Sequence, residues 1–166
     1  MIMYKLLKLF IPLIIMGAFV SCKENTTTLT TEQTATVKDS VLQLAEVTAK
    51  DVSVRGPIAW LDHFENSPNF FMANDGILAF PDYKTAELFI KNTLVKQIQN
   101  IKLKWSDVRV DALTPEIAIM AAKYHEDITD NSGKTTPYDG YLTATVEHTF
   151  KGWEFLNVHW SSKAGK

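Results

Sequence analysis

At 166 residues, with 46% apolar and 22% charged side chains, the chain has the make-up of one globular domain with a tail, which excludes wholesale disorder. Its 17 Lys and Arg against 19 Asp and Glu give a net charge of −2, which excludes broad electrostatic binding of nucleic acid, because that needs a clustered cationic surface to displace phosphate counterions. A single cysteine excludes an internal disulfide framework and any zinc site built on several thiolates.

Residues 1–21 carry the pattern of a signal peptide, with Lys5 and Lys8 ahead of an apolar run over 9–20. Twelve residues of helix span about 18 Å, short of the roughly 30 Å hydrocarbon layer, so a cleaved segment is expected rather than a membrane span. The run ends in Phe19-Val20-Ser21-Cys22. This resembles the lipobox of bacterial lipoproteins, in which a small residue precedes a cysteine that is acylated and becomes the new N-terminus. Phe19 stands where that pattern usually has Leu. The resemblance implies lipidation at Cys22 and a protein tethered to the bacterial envelope membrane, on the periplasmic side of the outer membrane or at the cell surface. Removing residues 1–21 takes two lysines with it and leaves 15 Lys and Arg against 19 Asp and Glu, a net charge of −4. Lys23-Glu24 is similar to the short tag that carries some Bacteroidetes lipoproteins to the surface; a solvated linker explains the pair equally well. Residues 23–36 hold seven Thr and one large apolar side chain, Leu29. Such a stretch buries too little surface to offset its ordering entropy, so 22–36 is expected to be a tether.

From Val37 the apolar residues Val41, Leu44, Ala45 and Val52 recur near helical spacing, which predicts a first helix capped by Thr34 or Thr36. Pro57 suits the first turn of a second, shorter helix bearing Ile58, Trp60, Leu61 and Phe64. Asn74-Asp75-Gly76 between two apolar runs predicts a β-hairpin, since these residues tolerate positive φ. A third helix is predicted over 83–97. The remainder alternates as strands: one through Ile101, Leu103, Trp105, Val108 and Val110 with a bulge near Ser106-Asp107, then 116–127, 138–150 and 153–161. Helices early and consecutive strands late predict an α+β fold with an antiparallel, meandering sheet.

That order of elements resembles the nuclear transport factor 2-like superfamily, in particular its SnoaL-like and ketosteroid-isomerase-like bacterial members. The most specific match is the ending Gly152-Trp153-Glu154-Phe155-Leu156-Asn157-Val158-His159-Trp160-Ser161, similar to the Gly-Trp-x-Ile-x-x-x-His-x-Ser ending common in SnoaL-like proteins. Ala118 after Leu113-Thr114-Pro115, and Thr145 before the last turn, fit the same template. The resemblance covers 37–163 and implies a cone-shaped barrel, a strongly curved antiparallel sheet wrapped by about three N-terminal helices around an apolar pocket. It also implies a homodimer paired sheet to sheet.

Period two places Trp153, Phe155, Asn157, His159 and Ser161 on one face of the last strand, and the resemblance makes that face the concave one. Glu154, Leu156, Val158 and Trp160 take the other, an apolar outer face suited to an interface. His159 is then either a ligand contact or general acid/base, or a buried histidine satisfied by a backbone carbonyl or by Ser161. Tyr124 shares a face with Ala118, Met120 and Ala122. Glu147 shares one with Tyr141, Thr143 and Thr145, where it is inward only with a partner or a raised pKa. His63 beside Asp62 and Glu65 is expected at the surface, as are His125 and His148. Four scattered histidines, with no HExxH, CxxC, GxSxG or glycine-rich phosphate loop, give no metal, nucleophile or cofactor motif; no metal and no cofactor are expected.

Three functions follow from this reading. The first is a lipid-anchored protein holding a small apolar ligand in a pocket lined by Trp60, Phe64, Tyr124, Trp153, Phe155, Asn157 and His159. The second is an isomerase, dehydratase or cyclase without metal, with His159, Tyr124 and Glu147 as candidate acid and base. The third is a structural dimerisation domain.

Overall fold

The computed structural model describes residues 28–163. The predicted signal peptide, Cys22 and the start of the predicted tether lie outside them. The first helix, α1 (Thr31–Arg55), begins six residues ahead of its predicted start. Thr30 caps it in a reciprocal box: the Gln33 amide donates to Thr30 Oγ1 (3.1 Å) and the Thr30 amide donates to Gln33 Oε1 (2.9 Å). The Thr-x-x-Gln spacing that makes this box stands in the sequence, but the threonine richness around it hides it. Val37, Val41, Leu44, Ala45, Thr48 and Val52 form the buried stripe of α1, which lies mainly across β3 and is pinned there by Trp105 Nε1 donating to the Ala45 carbonyl (3.0 Å).

Gly56, at φ 73°, ends the helix, and a 3-10 turn (Pro57–Ala59) leads into the single turn of α2 (Trp60–His63). The predicted hairpin follows as β1 (Phe71–Asn74) and β2 (Ile77–Phe80). Its two-residue loop has positive φ at both Asp75 (48°) and Gly76 (82°), the backbone twist that two-residue hairpins require. The predicted helix over 83–97 forms in three pieces: α3 (Tyr83–Phe89), capped by Asp82 accepting from the Thr85 amide (2.7 Å), a π-helical turn (Ile90–Leu94) and a last turn, α4 (Val95–Gln97). Four long strands complete the chain: β3 (Ile98–Ala112), β4 (Ile117–Asp130), β5 (Thr135–Thr149) and β6 (Gly152–Ser162).

The strands make one six-stranded sheet in the order β2-β1-β6-β5-β4-β3. The α+β class is as expected, but two details differ. The sheet is mixed, because β1 runs parallel to β6 while the other pairs are antiparallel; and it is open, with β2 and β3 as its edges, rather than closed into a barrel.

Two irregularities decide which residues face the helices. The predicted bulge in β3 is present, with Asp107 at φ 50° and the ladder shifting between Ser106 and Arg109. A second, unpredicted, lies in β6: Thr145 pairs with Asn157 and the next residue, Val146, pairs with Phe155, leaving Leu156 as an extra residue. One extra residue inverts the alternation beyond it. Phe155 therefore points into the core, fully buried, while past the bulge it is Val158, Trp160 and Ser162 that point inward. Asn157, His159 and Ser161 point out. The expected apolar outer face of Leu156, Val158 and Trp160 is thus not there, since Val158 is 1% exposed and Trp160 packs against the core cluster.

Candidate functional site

Between the sheet and the helices lies a cavity of about 560 Å3, within the range of small-molecule sites. The inward face of β4 builds its back wall: Tyr124, Glu126 and Ile128 line it beyond the small, fully buried Ala118 and Ala122. Ile90 and Leu94 on the π-helical turn close it from the helix side, joined by Trp60 and Phe64; Met72, Ala79 and Phe80 of the hairpin supply one flank. A π-turn widens the helix locally and is often found at functional sites. Trp160 is the hub of the aromatic wall, with ring centroids 5.5 Å from Trp60, 5.8 Å from Trp105 and 4.8 Å from Tyr124.

Polar groups enter at one end. Tyr124, Gly140 and Ser162 stand opposite one another on β4, β5 and β6. Gly140 has no side chain, so the Tyr124 ring lies across it and its hydroxyl reaches Ser162 Oγ at 3.2 Å. Ser162 Oγ donates in turn to Asp75 Oδ2 (3.0 Å), and the Ser162 amide donates to Asp75 Oδ1 (2.6 Å). The proton direction is therefore Tyr124 to Ser162 to Asp75. Burial pushes the Tyr124 phenol above its ordinary pKa, against a smaller opposing effect of the Ser162 hydrogen bond.

Glu126 stands apart from this chain. Its carboxyl has no hydrogen-bond or ion-pair partner among the described residues, and burial in apolar surroundings pushes it up to about 7. The folded group thus titrates well above the roughly 4.3 of an unfolded glutamate. The stability this contributes is fully present below about pH 4.3 and is lost as pH rises through 7, where folding must hold an unpaired carboxylate. Glu126→Gln, neutral throughout, is expected to match the wild type at pH 4 and to exceed it by about 1–3 kcal/mol at pH 8, read by urea unfolding at the two pH values. An equal stability difference at both would contradict the assignment.

Of the residues expected at the pocket, Trp60, Phe64 and Tyr124 line the cavity. Phe155 lies in the core instead, beside Phe64. Trp153 packs edge-to-face on His148 (5.5 Å) at the far end of the strand pair. Asn157 and His159, inverted by the bulge, lie outside the cavity: the Asn157 amide donates to the Asn69 carbonyl (3.0 Å), and His159 is exposed. His159→Ala should accordingly change stability by less than about 0.5 kcal/mol in a thermal melt; a loss above 1 kcal/mol would place the ring indoors. Glu147 is on the opposite face from the buried Val146, close to Glu65 and Glu154. Burial, then the Glu147 charge, raises the pKa of Glu65 there. His63, expected at the surface, is 7% exposed and meets Asp51 Oδ2 at 3.1 Å. Among the described residues no cluster of three or more His, Cys, Asp or Glu is placed to hold a metal ion.

The sequence reading missed Glu126, Trp160, Ser162 and Asp75. For Glu126 the signal was available, since the period-two face of Ala118, Met120, Ala122 and Tyr124 continues to it. For Trp160 and Ser162 the bulge removed it.

No family model matches the chain, and no curated protein matches it in sequence. Solved structures do match its shape. A nuclear transport factor 2-like superfamily protein from Salmonella enterica superposes with a TM-score of 0.66 at 18% identity, over 80% of this chain and 94% of that one. A putative scytalone dehydratase from Novosphingobium aromaticivorans gives 0.70 at 9% identity, over 81% and 89%. A hexachlorocyclohexane dehydrochlorinase from Novosphingobium barchaimii gives 0.59 at 10% identity, over 80% and 93%. Identities this low speak for shape alone. With its element order, open six-stranded sheet and these superpositions together, the chain has the nuclear transport factor 2-like fold.

Proposed function

We propose that this protein binds a small, largely apolar molecule in the cavity between sheet and helices, and that acylation at Cys22 tethers it to an envelope membrane. The observation that carries the binding reading is the cavity of about 560 Å3 lined mostly by aromatic and aliphatic side chains, with a few polar groups gathered at one end. A pocket of this kind recovers the free energy of removing an apolar ligand from water while its polar groups fix orientation. Nile red, a neutral apolar dye, tests it: saturable one-to-one binding is expected, with energy transfer from Trp60 and Trp160. Ala79→Trp, which fills the cavity, should abolish it. Dye binding that is unaltered by Ala79→Trp would refute the assignment. For the tether, Cys22→Ser should move the protein from the detergent phase to the aqueous phase on partitioning; unchanged retention would count against acylation.

One observation favours a second reading. A carboxyl that titrates near 7 and has no partner among the described residues is suited to general acid/base work at neutral pH, and the Tyr124 hydroxyl shares its strand face two residues away. Proton abstraction or elimination on the bound molecule is the chemistry that pair supports. The fold neighbours named as a dehydratase and a dehydrochlorinase are in keeping with it. Turnover lost in Glu126→Gln while binding persists would select this reading over binding alone.

A further inference from the structure

We propose that the cavity selects a lipophilic amine, an apolar body with one protonated nitrogen seated against the Glu126 carboxylate and the rings of Trp60, Trp160 and Tyr124. The inference rests on the ligand-binding reading above and specifies the chemical class of that ligand.

Charge gives the first argument. Among the described residues, the charged side chains lining the cavity are Asp75 and Glu126, with no Lys, Arg or His. An anionic amphiphile such as a fatty acid would bring its carboxylate into an apolar space with no cation to meet it and like charges nearby. A cation meets the opposite situation. Asp75 is already occupied by the amide and hydroxyl of Ser162, so Glu126 is the acceptor left free, and an ammonium N–H would give it the charge-assisted hydrogen bond it lacks.

The aromatic wall gives the second argument. Trp60, Trp160 and Tyr124 line the same cavity, and their mutual edge-to-face contacts, with interplanar angles of 90° and 78°, set indole and phenol rings at steep angles around one space. Rings so disposed, with a carboxylate on the same wall, are a recognised means of holding an organic cation. Neutral ligands use the rings as apolar surface only; a cation uses both rings and carboxylate.

The pH dependence follows from what faces Glu126. Tyr124 and Ile128 flank it on β4, Leu103 opposes it from β3, Tyr138 opposes it from β5, and Asp75 reaches in from the hairpin. The helix side presents Ile90, Leu94 and Trp60, none of which titrates. Between pH 6 and 8 it is Glu126 that changes charge, while burial only raises the Tyr124 phenol further from that interval. With the carboxyl titrating near 7, its ionised fraction rises roughly tenfold over that interval, and amine affinity should rise with it.

Isothermal titration of the whole protein with decylamine, decanol and decanoic acid, all below their micelle concentrations, tests this. At pH 8 decylamine is expected to bind about tenfold or more tighter than decanol, with decanoic acid the weakest. Decylamine affinity should fall about tenfold on going to pH 6, whereas decanol should not weaken. Glu126→Gln should bring decylamine down to the level of decanol; the pH series on the wild type gives the same answer without a variant. Decanol binding as tightly as decylamine, or an amine affinity flat between pH 6 and 8, overturns the amine and leaves the ligand cavity standing. Failure of all three to bind overturns both.

Discussion

Trp160→Ala is expected to cost about 3 kcal/mol of folding stability and to lower the melting temperature by about 10 °C. The residue joins three elements: its ring meets Trp60 from the helix side, Trp105 on β3 and Tyr124 on β4, with centroids between 4.8 and 5.8 Å. Truncation removes the apolar surface of an indole and strips three aromatic partners of their neighbour at once. The partial exposure of Trp160 holds the cost near the lower end of the range for buried tryptophans. Nile red binding should fall in the same variant, because the aromatic wall is gone. On an outward-facing strand position the same change costs about 0.5 kcal/mol or less, so a loss below 1 kcal/mol would refute the inverted register of β6.

Gly140→Ala should destabilise by about 1–3 kcal/mol, although it adds one methyl group to a strand where alanine is ordinarily accommodated. A Cβ at this position would collide with the Ser161 carbonyl oxygen and come within 2.5 Å of the Tyr124 ring and hydroxyl. The Ser161 oxygen is backbone held in the β5–β6 ladder and has little room to give. Tyr124 can swing away only by releasing Ser162. The phenol would leave its place beside Glu126, so ligand affinity and stability should fall together. In a Tyr124→Leu background the part of the penalty due to the ring disappears and the part due to the strand contact remains, which a double-mutant cycle on urea unfolding resolves. A Gly140→Ala protein as stable as the wild type would contradict the crossing of Tyr124 over this residue.

The parts of the fold legible in the sequence were those governed by local chemistry. Asn74-Asp75-Gly76 made a hairpin because adjacent positive φ values demand such residues. Apolar periodicity located the helix over 83–97. The β3 bulge could be anticipated because Ser106-Asp107 interrupts an otherwise regular alternation. Leu156 carries no such mark. It is an apolar residue in an apolar strand, and its bulge is fixed by how β6 must register against both β5 and β1, a long-range demand without a local signature. That single residue moved His159 and Asn157 out of the candidate site and brought Trp160 and Ser162 into it. The parallel pairing of β1 with β6 is likewise a property of the assembled sheet, since residues 71–74 have no sequence neighbour to announce it. Glu126 was legible and passed over: hydrophobic patterning stops at a charged residue, although the strand's alternation does not.

Glu126 bears the most direct test of the chemistry assigned to the cavity, because that chemistry turns on a carboxyl that no group among the described residues satisfies. Its side-chain carboxyl carbon, followed by carbon-13 NMR from pH 3 to 9, should titrate with a midpoint near 7 in the free protein, and the midpoint should drop when decylamine is bound, since an ammonium favours the ionised form. A free-protein midpoint near the ordinary 4.3 or so of a solvated glutamate would show water rather than ligand satisfying the carboxyl, and would contradict the account.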